Sequence, residues 1–72
     1  MYAVIQIDNR QVPVYCRVFN DDDLDEALDL ATNIVVEMDA ELACLEVRDE
    51  LIDNGWVLVA DFVVAVVKTE DA

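Results

Sequence analysis

The chain has 72 residues, 57% of them hydrophobic, with seventeen Asp and Glu against four Lys and Arg and a formal net charge of −13. That length accommodates one domain near the lower size limit for a single core. The charge opposes binding to phosphate backbones or anionic membranes, and it favours salt-sensitive association with basic protein surfaces. Disorder, the common state of very acidic chains, requires low hydrophobicity and is not expected here. One Gly and one Pro leave little room for linkers or low-complexity segments.

Residues 2–8 alternate, with Ala3, Ile5 and Ile7 on one side and Tyr2, Val4, Gln6 and Asp8 on the other, the period of a half-buried strand. Asp8-Asn9-Arg10-Gln11 reads as a polar turn. Val12, Val14, Cys16 and Val18 then alternate with Pro13, Tyr15, Arg17 and Phe19, so a second strand returns antiparallel to the first. Pro13 cannot donate to a ladder, which places it at an edge or at a strand start.

Asn20-Asp21-Asp22-Asp23 is a helix-start signal, because short acidic side chains cap free backbone N–H groups and suit the positive end of the helix dipole. The spacings Asp22 to Asp25 and Asp23 to Glu26 approximate capping boxes. Leu24, Ala27, Leu28, Ala31, Ile34, Val35 and Met38 then form an apolar stripe. Asp22, Asp25, Glu26, Asp29, Asn33 and Glu37 occupy the other side.

From Asp39 to Asn54 helix and strand compete. Ala40 to Glu46 are good helix formers, and Leu24, Leu28, Ala31, Val35, Met38, Leu42, Leu45 and Ile52 approximate a heptad seam. A continuous helix from Asp22 to Asp53 would be about 48 Å long, too long for so small a domain unless it lined a dimer. Asn54-Gly55 ahead of Trp56-Val57-Leu58-Val59 signals a hairpin, with Leu45 to Leu51 as its first strand, although Gly55 could equally end a helix. The preferred reading breaks the helix near Asp39 and continues with a hairpin or a short helix.

Trp56 to Val67 is apolar apart from Asp61, which reads as a bulge, a turn between two short strands, or a solvent-facing point. Such a stretch is expected to be covered on both faces, centrally in a sheet or by a second subunit. Lys68 to Ala72 reads as a frayed tail. The expected architecture is α+β: one small domain spanning residues 1–72, with an antiparallel sheet packed on one amphipathic helix. The sheet comprises an N-terminal β-hairpin and a C-terminal strand or hairpin, in the order ββα, then α or β, then β.

Chemistry is scarce in this inventory. There is no His and no Ser, and the single Lys is near the end, so acid–base and nucleophilic catalysis lack their usual groups and no enzymatic activity is expected. One glycine makes no phosphate cradle. Cys16 and Cys44 form no motif and read as reduced, buried thiols. Without His they make no zinc site, and the acidic run lacks the spacing of a calcium loop. No cofactor or metal is expected. No apolar run approaches a membrane span and the N-terminus has no basic start, so a cytoplasmic protein with no membrane partner is expected.

The expected partner is therefore a basic protein, in particular one that itself binds nucleic acid, met by Asp21, Asp22, Asp23, Asp25, Glu26, Asp29 and Glu37. Like charges at helical spacing, as at Asp25 and Asp29, repel each other and persist where something neutralises them. In size, charge and mixed strand–helix content the chain resembles small phage-encoded inhibitors of bacterial defence, the anti-CRISPR and anti-restriction proteins, some of which mimic DNA. The resemblance is one of composition and assigns no residue. The alternatives are a homodimeric interaction subunit or antitoxin-like protein with an apolar interface at Trp56 and Phe62, and an acidic domain adapted to high salt.

Overall fold

A computed structural model describes residues 1–69. The elements are β1 (Tyr2–Ile7), β2 (Pro13–Phe19), a 3-10 turn (Asp21–Asp23), α1 (Leu24–Met38), α2 (Cys44–Asn54), β3 (Trp56–Val59) and β4 (Phe62–Lys68). The four strands form one antiparallel sheet in the order β2-β1-β4-β3, so the first and last strands are neighbours at its centre. This is the α+β sheet expected from the sequence, with the order ββααββ.

The β1–β2 turn is built by Asp8, whose Oδ1 accepts the N–H groups of Arg10 at 2.9 Å and Val12 at 3.0 Å. The side chain thus does locally what a turn backbone would do. Gln11 takes a left-handed φ of 63° to close it. Between Gln6 and Ile7 the register shifts, Gln6 facing Tyr15 and Ile7 facing Pro13, which leaves Val14 as the extra residue of a bulge. Pro13 and the bulge both lie on an edge strand, where a missing donor costs no ladder bond and where irregularity discourages pairing with another sheet.

Both helices lie against one face of the sheet. Val4 of β1, Phe19 of β2, Val59 of β3 and Val64 of β4 meet Ala27, Leu28, Ala31 and Val35 of α1 and Val47 and Leu51 of α2 in a single buried core. The break near Asp39 is real: α1 ends at Met38, and Asp39 N–H bonds back to Val35 O at 3.0 Å in an extended conformation. Past it the chain resolves as a second helix, not as a strand. Gly55 ends that helix, with φ 82° and its N–H on Leu51 O at 2.9 Å, so the Asn54-Gly55 pair is a helix terminus and not a hairpin turn. The hairpin lies further on, between β3 and β4, where Val59 faces Phe62 across Ala60 and Asp61. Of the three readings of Asp61, the turn holds.

Four further expectations are corrected. The capping boxes do not form, since neither Asn20 nor Asp23 makes a side-chain cap bond; the chain enters α1 through the 3-10 turn, which already engages Asp23 N–H with Asn20 O at 3.0 Å. The heptad seam ends with α1, because Leu45 and Ile52 of α2 are solvent-exposed. Cys16 and Cys44 are exposed, Cys16 because it lies on the sheet side that the helices leave bare and Cys44 because it opens α2. Lys68 belongs to β4 and Thr69 N–H bonds to Met1 O at 2.8 Å, so the expected frayed tail is ordered to that point; the rest of it, residues 70–72, lies outside the described residues.

The sheet has a bare side. Because side chains alternate along strands, the register that turns Val4, Phe19 and Val64 to the helices turns the intervening residues away. On β1 these are Ala3, Ile5 and Ile7, and beside them on β2 stand Val18 and Cys16. On β4 they are Val67, Ala65 and Val63, and on β3 Trp56 and Leu58. The short dimension of the molecule is 17 Å, the thickness of one sheet and one layer of helices. The expectation that Trp56 to Val67 would be covered on both faces is thus met on one face only.

Candidate partner-binding surfaces

Two surfaces with opposite character emerge, one on each side of the sheet. The first is the outer side of the helices. Between Asp21 and Asp53 the chain carries all its acidic residues except Asp8, Asp61, Glu70 and Asp71, together with a single cation, Arg48. With residues 100° apart around an α-helix, the buried face of α1 centres on Leu28, Ala31 and Val35, and Glu26 and Glu37 fall diametrically opposite. Asp25 and Asp29 sit on the flank that meets α2.

There Arg48 bridges both carboxylates. Its Nη2 donates to Asp25 Oδ1 at 3.1 Å and its Nη1 to Asp29 Oδ1. The forked guanidinium suits two acceptors one helical turn apart. The repulsion between Asp25 and Asp29 anticipated from their spacing is therefore relieved within the chain, by a residue of α2. Asp25 nevertheless keeps 92% of its side chain exposed, so the bridge does not remove it from solvent.

The predicted acidic residues do not form one cluster. Asp21 lies in the 3-10 turn and pairs with the Met1 ammonium, which lowers its carboxyl below the ordinary 3.8 by hydrogen bonding and, secondarily, by charge attraction. Asp22 is exposed and Asp23 half-buried in the same turn, at the N-terminal end of α1, while Glu37 stands at the opposite end. Glu37 and Asp39 oppose the negative end of the helix dipole, and no basic residue occupies the last turn of either helix. Charges so placed do not serve helix stability.

Sequence reasoning missed the second half of this surface. With residues 44–54 helical, Glu46, Asp49 and Asp53 recur at three- and four-residue steps on the outward side of α2, away from Val47 and Leu51. The same spacing was visible in the sequence, but a strand reading would have scattered those residues over two faces. Asp39 and Glu41 continue the acidic row through the connection, where Asp39 Oδ1 accepts the Glu41 N–H at 3.1 Å. Among the described residues no three carboxylates or thiols stand close enough to hold a metal ion, and no helix is long and apolar enough to cross a membrane.

The second surface is the bare side of the sheet. Trp56 belongs to it, with 51% exposure. Phe62 does not: it pairs with the buried Val59 and shares its register, so its side of β4 faces the helices. The two aromatic residues expected to form one interface are thus on opposite faces of the sheet. Val18, Leu58 and Val67, which the sequence reading did not single out, accompany Trp56 instead. Comparison of the chain with family models, with curated proteins and with solved structures returns no match.

Proposed function

We propose that the chain is a non-enzymatic acidic inhibitor that occupies the basic nucleic-acid-binding surface of another protein, using the outer side of α1 and α2. The observation that carries this reading is the imbalance of that layer. Its acidic rows on both helices face solvent while its one cation, Arg48, is already held by Asp25 and Asp29. Such a surface lowers the energy of an array of Arg and Lys arranged for phosphates, and it releases the partner's counterions in the same way. The dipole-opposed Glu37 supports the reading further, because its placement weakens the helix and so calls for another cause, whereas Asp39 already accepts the Glu41 N–H.

Capture of basic proteins from a lysate, repeated across a salt series, tests it. Recovery of a nucleic-acid-binding protein at low salt, its release at high salt, and competition by DNA are expected. Neutralising Glu26, Glu46, Asp49 and Asp53 together to Gln or Asn should reduce capture at least tenfold with the fold intact. Undiminished capture by that variant would sink the proposal. Bacterial restriction nucleases and CRISPR effectors are the targets to try first, on the compositional resemblance alone. If the acidity instead reflects a high-salt interior, the chain should fold only in molar KCl, which a melting series would show.

A further inference from the structure

Among the described residues, the bare side of the sheet is apolar across all four strands and carries no charged residue, although the chain bears a net charge of −13. We infer that this face pairs with the same face of a second copy, giving a two-fold symmetric dimer with the sheets back to back and the acidic helices outermost. The inference stands independently of the partner proposed for the helical layer.

Area is the first argument. Four strands about 4.8 Å apart and about six residues long span about 400 Å² in plan, and the corrugated accessible surface is larger. Two such faces together would bury more than about 1,000 Å² of accessible surface, the size at which specific interfaces begin. A lone monomer rarely exposes a continuous apolar patch beyond a few hundred Å². On this face Leu58 is 63% exposed, Val18 and Trp56 51% each and Val67 43%, and they lie on one continuous sheet surface, whereas Leu45 and Ile52 are exposed among the carboxylates of α2.

Charge selects the occupant. A basic protein gains nothing from a face without carboxylates, whereas for two strongly acidic copies this is the side on which contact brings no carboxylates together. Each copy is 17 Å thick. Back-to-back packing therefore holds the two acidic layers about 30 Å apart, several screening lengths at physiological salt. Antiparallel sheets commonly pack face to face in this way, with strands nearly aligned.

The two cysteines supply an internal control. Cys16 lies on the bare face opposite Ile5, Cys44 at the start of α2 on the other side, and both are exposed in the single chain. Sedimentation or light scattering at about 100 μM should give twice the chain mass of 8.1 kDa. Under those conditions Cys16 should react with a maleimide at least tenfold more slowly than Cys44, and the two rates should converge on dilution. Val18→Glu with Leu58→Glu should yield a folded monomer with Cys16 open at every concentration, whereas Glu26→Gln should leave the dimer intact. A single-chain mass up to about 1 mM with equally reactive cysteines would overturn the inference. So would a monomer whose Cys16 closes only when a different protein is added, which assigns the face to that protein. Failure of the unsubstituted chain to capture any basic partner, with dimer mass retained, would count against the proposed function alone.

Discussion

Two residues show how locally the balance of this fold is set. Thr32 sits mid-helix in α1, is 6% exposed, and its buried hydroxyl has no hydrogen-bond partner among the described residues. An unsatisfied buried hydroxyl costs on the order of 1 kcal/mol, and Val has the same shape without it. Thr32→Val should raise stability by about that amount, read as a higher urea midpoint with an unchanged slope. Asp21 behaves in the opposite manner, as an exposed group with a partner. Its carboxyl, lowered by the Met1 ammonium, should titrate below 3.8 in a carbon-detected NMR experiment. Because the folded value is depressed, the stability it contributes is present above the ordinary carboxylate range and disappears as pH falls through the folded value. Asp21→Asn should remove that acid-side dependence. An Asp21 midpoint at or above 3.8 would contradict the pairing.

At the scale of elements, two left-handed residues occupy comparable places and should answer mutation with opposite sign. Gly55 ends α2 at φ 82°, and a Cβ there would meet Val66 O at 3.6 Å, an ordinary contact. The cost of Gly55→Ala is then backbone strain alone, about 1 kcal/mol or slightly more. Ala60 already carries that strain in the β3–β4 turn, at φ 51°. Ala60→Gly should relieve it and stabilise the protein by up to about 1 kcal/mol in the same denaturant series. These two positions also mark what the sequence disclosed. The pair Asn54-Gly55 has the composition of a hairpin turn and Ala60-Asp61 does not, yet the hairpin formed at the second, because β3 must run antiparallel to β4 to bury Val59 and Val64 together. Tertiary burial outweighed turn preference. β1 and α1 were legible because their periods of two and 3.6 are unbroken, as in Leu24, Leu28, Ala31 and Val35, whereas the bulge at Val14 interrupts the alternation read along β2 and puts Pro13 on the face of Cys16 and Val18. The outward acidic row of α1 was legible for the same reason, and that of α2 was not, because Leu45 and Ile52 disrupt the amphipathic pattern by facing solvent.

For the whole molecule the dominant quantity is self-repulsion. A net charge of −13 on a chain with a Cα radius of gyration of 11.5 Å opposes compaction, and salt screens it. The melting temperature should rise between about 10 mM and 500 mM KCl as the screening length contracts from about 30 Å to a few ångströms, and level off above that. A melting temperature that falls with salt would mean that ion pairs such as those of Arg48 outweigh the repulsion.

The adjacency of β1 and β4 bears on how the molecule comes into being. A hairpin of β1 and β2 can close through its own short turn, but β1 remains without its second neighbour until residues 62–68 arrive, and the helices have no full sheet to cover before then. The decisive pairing joins Tyr2 to Lys68, nearly the whole length of the chain apart. Loop closure on that scale slows folding relative to local contacts. Until residues 62–68 pair with β1, the apolar strands therefore lack part of the cover that the finished sheet and helices give them. In that interval the same carboxylates that face outward in the finished protein keep neighbouring copies apart.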